Sequence, residues 1–130
     1  MSSAKRYSHH EHYVSKDKRE INLENVYLIS LINMTDWPVE YVVVIDHIPA
    51  PGEHVNWVHI NPIGRTCNLG NQQQCFDQGK YLPLVSFQCG TANYVGIAWK
   101  EPDGKYYAGF TSRIQADCDH YLGTVITLTA

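Results

Sequence analysis

Long hydrophobic runs are missing from this 130-residue chain. No stretch approaches the roughly 20 apolar residues that a membrane-crossing helix requires, so no transmembrane segment is expected. Charge is scarce as well: Asp, Glu, Lys and Arg make up 18% of the residues, ten basic against thirteen acidic, for a formal net charge of −3. That balance provides no general attraction to nucleic acid, and no nucleic-acid partner is expected. The first 24 residues lack an apolar block of about 7–15 residues behind a basic start, so no secretory leader is read there. The location is not read from the sequence; without a leader, the cytoplasm or non-classical release are the settings it fits. No window of roughly 11 residues has a helical period, which excludes an α/β reading built on capped helices.

Catalytic and metal motifs are equally thin. The chain has no G-x-S-x-G elbow, no H-E-x-x-H and no glycine-rich phosphate loop, and no enzyme is expected. The four cysteines, Cys67, Cys75, Cys89 and Cys118, form no Cys-x-x-Cys pair, so a zinc ribbon or thioredoxin motif is not read. Their even number permits a disulfide framework, with Cys67–Cys75 the first pair to consider. Without a leader, reduced thiols are the expectation. Asp117 and Asp119 flank Cys118 beside His120, and two neighbouring carboxylates disfavour a reactive thiolate. His9, His10, Glu11 and His12 cluster on adjacent residues, which gives a metal no fixed geometry, and neither metal nor cofactor is expected. Asn33-Met34-Thr35 matches the glycosylation sequon.

What the chain does have is apolar and aromatic material: 44% hydrophobic residues, with nine Tyr, three Trp and three Phe. This suffices for a core. Residues 1–24 stand apart as a polar, charged arm of net +1 whose only aliphatics are Val14, Ile21 and Leu23. Residues 25–130 form a single domain of alternating or short solid apolar runs separated by turn residues.

Strands are read at Val26–Ile32 and Val39–Ile45, with Asn33–Pro38 as a hairpin connection between them. Another is read at His54–Ile60. Asn61–Lys80 reads as loop with at most one short strand. Tyr81–Cys89 is a strand whose internal Pro83 suggests a sheet edge or the first residue of a ladder, and His120–Thr129 is the last. Tyr94–Arg113 is a hairpin about Glu101-Pro102-Asp103-Gly104. With those four residues as the loop, Trp99 faces Tyr106 and Ala98 faces Tyr107. One face then carries Tyr94, Gly96, Ala98, Tyr107, Gly109 and Thr111, a small-residue floor between two tyrosines. The fold class is all-β, an antiparallel two-sheet β-sandwich with a polar N-terminal arm.

Val95-Gly96-Ile97-Ala98-Trp99, then Asp103-Gly104, then Ala108-Gly109-Phe110 resembles a hairpin of actinoporin-like β-sandwich cytolysins and fungal fruit-body lectins. Leu28–Asn33 with Thr35, and Gly123–Leu128, are similar to the first and last strands of those proteins and of the aegerolysins. The resemblance implies a compact sandwich of the defence or toxin kind. Such a protein recognises sugars or lipid head groups on membranes and uses no cofactor. Residues 1–24 lack the amphipathic face that pore-forming members insert, and the segment after Phe110 lacks their aromatic lipid grip, so pore formation is not implied.

The expected function is therefore that of a non-enzymatic module binding a glycan or lipid head group. Exposed aromatics provide contact area at little entropic cost. The candidate residues are Trp37, Tyr94, Gly96, Lys105, Tyr107 and Thr111. The competing expectation is a self-assembling coat, filament or inclusion subunit, a homo-oligomer joined through the arm.

Overall fold

Val26–Asn33 carries five aliphatic residues in eight, and it becomes β1, the central strand of a three-stranded sheet. The computed structural model describes residues 25–120 and 123–130. The arm read over 1–24, with its histidine cluster and any role in assembly, lies outside them. Among the described residues the strands that follow are β2 (Val39–Ile45), β3 (Val58–Ile63), β4 (Leu82–Gln88), β5 (Ala92–Lys100), β6 (Tyr106–Phe110), β7 (Ile114–Gln115) and β8 (Thr124–Leu128). One short helix, α1 (Gln72–Asp77), lies between β3 and β4.

The chain folds as an all-β sandwich of two sheets. One has the order β4-β1-β8 and the other β3-β2-β5-β6, with β7 paired to β5. Pairing is antiparallel except for β8, which runs parallel to β1 from Ile29↔Thr124 to Asn33↔Leu128. Ile29 and Leu31 of β1 meet Val39, Val42, Val95, Ile97, Phe87 and Leu128 in the core between the sheets. Alternation along β1 sends Ile32 to the opposite face. There a second cluster with Cys67 and Cys75, flanked by Met34, Leu69 and Val125, buries it.

Asn33–Pro38 is not a hairpin. β1 and β2 belong to different sheets, so this segment crosses from one layer to the other. Asn33 holds the crossing. Its Nδ2 donates to Trp37 O and Ile63 O, both at 2.9 Å, and its Oδ1 accepts from Thr35 N and Thr35 Oγ1. Arg65 fastens the outside, donating to Met34 O and to Asp36 Oδ1. A turn signal in sequence reports a change of direction, not which sheet receives the next strand.

The 61–80 stretch contains α1, too short to leave a periodic signature. Asn71 caps it by accepting from Gln73 N at 2.8 Å. Gly79 ends it at φ 69°, a conformation that costs glycine little. Pro83 lies on the edge strand β4 next to a register shift in its pairing with β1, where a missing N–H is tolerated.

The cysteines correct the expectation of free thiols. Cys67 pairs with Cys75 and Cys89 with Cys118, at Cα separations of 6.0 and 5.5 Å, and no free cysteine is left. Pairing is decided by which backbones the fold brings together, and a reading of the first residues does not report that. The first bridge ties the segment after β3 to α1; the second ties the end of β4 to the 3-10 turn Cys118–His120.

Candidate binding site on the outer sheet face

The β5–β6 hairpin closes one residue tighter than the sequence suggests. Gly104 N donates to Glu101 O at 2.9 Å and Glu101 N to Lys105 O at 3.0 Å, so Pro102-Asp103-Gly104 is the loop. Gly104 takes φ 82°, as a three-residue hairpin with a glycine bulge requires. The register is then Lys100↔Tyr106, Trp99↔Tyr107, Ala98↔Ala108, Ile97↔Gly109 and Gly96↔Phe110. A one-residue slip exchanges the two faces of a strand. Tyr106, Ala108 and Phe110 therefore join Ala98 and Gly96 on the face turned away from the core. Tyr107 moves to the side of Trp99.

The expected floor is consequently rebuilt. Phe110 lies over Gly96, so a Cβ there would stand 2.5 Å from its ring and 2.9 Å from Val43 Cγ1. The gap between Tyr94 and Tyr107 is thus filled by the protein itself. Trp57 packs on Phe110 at 5.6 Å between ring centroids. On β2, a register shift between Val39 and Tyr41 sets Tyr41 opposite Ala98 on this outer face. Tyr41 meets Tyr106 edge-on at 5.6 Å and His59 edge-on at 5.0 Å.

A shallow cavity of about 300 Å³ results, walled by Tyr41, Trp57 and Tyr106 over the two alanines, Ala98 and Ala108; Tyr107, between Tyr106 and Ala108 on β6, borders it. Its edges carry charge. Tyr106 donates to Glu40 Oε1 at 3.2 Å, and Lys100 Nζ lies 5.7 Å from the Tyr106 ring centroid. Partial desolvation, then Glu40, raises the Tyr106 pKa, so the phenol keeps its proton. Tyr107 donates to Asp103 Oδ2 at 2.5 Å; this bond raises the Tyr107 pKa and lowers that of Asp103. The lining presents phenol oxygens and ring faces, with no nucleophile beside a base.

The sequence-based candidates do not assemble as one surface. Trp37 stacks on Trp99 at 6.5 Å with planes 7° apart, away from the cavity lining. Thr111 Oγ1 accepts from Val95 N and serves the ladder. Lys105 is exposed at the turn, Tyr94 lies opposite Ile45 on β2, and Gly96 is covered. Of the six, only Tyr107 borders the cavity. Tyr41, Trp57 and Tyr106 were not singled out; the available signal was the density of aromatics on flanking strands, and using it required the register.

No protein-family model matches the chain, and no curated protein or solved structure matches it either.

Proposed function

We propose that this protein is a non-enzymatic binding module that holds a glycan against the aromatic cavity of its five-stranded sheet. The observation that carries the reading is the juxtaposition of Tyr41, Trp57 and Tyr106 around the Ala98–Ala108 floor. Sugars present a C–H face and a rim of hydroxyls. Aromatic walls supply flat apolar contact at low entropic cost, and the Tyr hydroxyls and Glu40 supply polar partners. A cationic lipid head group is the less suitable occupant, because Lys100 already lies over the Tyr106 ring. Two disulfides suit an oxidising setting, where glycans are displayed. The strand resemblance to fruit-body lectins points the same way.

The test is an array of galactose-, glucose- and N-acetylhexosamine-terminated glycans, beside phosphatidylcholine vesicles. The intact chain is expected to be retained by a subset of the glycans. Trp57→Ala and Tyr106→Ala should each weaken that retention by about tenfold, the scale of a truncated interface aromatic. Ala108→Leu should weaken it by filling the floor, with circular dichroism unchanged. Retention by vesicles alone would favour a lipid head group, and undiminished binding by all three variants would remove the cavity from consideration.

A further inference from the structure

Between β2 and β3 the chain makes a loop, from Asp46 to Trp57, that ends on a wall of the cavity. Its own backbone bonds are sparse. Glu53 N donates to Ala50 O at 3.0 Å around Pro51 and Gly52, with Gly52 at φ 82°, and Trp57 N donates to Val55 O at 3.0 Å. Side chains supply further bracing. Glu53 Oε1 accepts from Ala50 N at 3.0 Å, while Glu53 Oε2 faces His47 Nε2 at 2.5 Å. The other ring nitrogen, His47 Nδ1, faces Asp46 Oδ1 at 2.7 Å.

Both nitrogens of one imidazole thus meet carboxylate oxygens. A neutral ring has one N–H and one lone pair, so it satisfies only one of them; the imidazolium donates to both. We propose that the Asp46–Trp57 loop is a proton-gated wall of the cavity, held closed by the His47 imidazolium and released, with Trp57, when that ring loses a proton. The inference deepens the glycan reading and rests on it for its ligand.

The charged groups acting on His47 are Asp46 and Glu53, and both push its pKa above the ordinary 6.5, Asp46 first. The loop's other histidine, His54, turns to Asn56 Oδ1 at 3.0 Å, and β5 presents the phenol Tyr94 opposite Ile45. Asp46 is lowered from 3.8 by its bond to His47. Glu53 is lowered from 4.5 by the Ala50 N–H, then by His47. A raised histidine contributes fully below 6.5, and its contribution is lost as pH rises through the raised value. The lowered carboxylates contribute above their ordinary values and lose that contribution as pH falls through the lowered ones. The brace is therefore whole between pH 4.5 and 6.5 and opens on the alkaline side. With the His47 side chain 53% exposed, solvent screens the brace, so it governs a loop and not the fold.

The experiment follows the three tryptophan indole N–H resonances of the full chain by NMR from pH 5 to 9, without ligand, with Trp57 assigned by its loss in Trp57→Phe. The Trp57 resonance is expected to titrate together with the His47 ring, above pH 6.5, and to stop doing so in His47→Gln. His54→Gln should leave the titration unchanged. A Trp57 resonance that is flat, or that titrates equally in His47→Gln, overturns the gate. Retention on the glycan array is expected to fall about tenfold across the same transition, the scale of one lost aromatic contact. Equal retention on both sides overturns the gate and leaves the module standing. Titration of Trp57 with no glycan retained at any pH supports the gate and removes the glycan reading.

Discussion

Asn33 shows how much one side chain can carry. Its exposure is 0%, and its amide satisfies two carbonyls and two donors at the point where the chain changes sheets. Asn33→Ala would strand those partners out of reach of water. The expected loss is about 2–4 kcal/mol, read as a lower urea midpoint at unchanged slope. The same burial governs the sequon: with both amide hydrogens engaged, Asn33 offers a glycosyl acceptor only before folding. A glycosylated Asn33 could neither be buried nor make both bonds, so the folded protein secreted from a glycosylating host should have unmodified mass. Gly96 is the counterpart on β5, where a valine would collide with Phe110 and Val43. Gly96→Val should cost about 1–3 kcal/mol by overpacking, as a loss of melting temperature.

At the level of elements, the turn between β5 and β6 decides what the outer face displays. Gly104→Ala, at φ 82°, should cost about 1–2 kcal/mol by forcing a left-handed backbone on a residue with a Cβ, measured by thermal unfolding. The strand positions of β1, β2, β4 and β5 were readable because each is a run of apolar residues bounded by turn formers. Of the two readings of Pro83 the structure selects the sheet edge, and the two-sheet sandwich followed from those runs. The register of the hairpin was not readable. Tyr106 and Tyr107 are adjacent and chemically alike, so the hydrophobic pattern does not distinguish a three-residue loop from a four-residue one. That ambiguity exchanged the faces, so that Tyr106 and not Tyr107 shares the outer face with Ala98. α1 was missed because six residues cannot express a period, and Trp57 because its role depends on where a long loop folds back.

On the scale of the whole molecule, two bridges supplement the core. Alkylation of the intact chain without reductant should add no labels, since all four cysteines are paired. By loop-closure entropy the two spans of 8 and 29 residues correspond to about 2.5 and 3.6 kcal/mol of unfolded-state constraint. Replacing Cys89 and Cys118 by Ser should therefore lower the melting temperature more than replacing the other pair. The parallel seating of β8 against β1 has a consequence for how the protein is made. Tyr27 Oη meets Thr124 Oγ1 at 2.8 Å across 97 positions of sequence. A nascent chain carries β1 into the cell's interior or lumen long before β8 leaves the ribosome. Until then β1 has β4 on one side and an open backbone edge on the other. Native closure has to wait until β8 itself has been made and has left the ribosome, and in that interval the emerging β1 edge is the surface that a chaperone would need to shield.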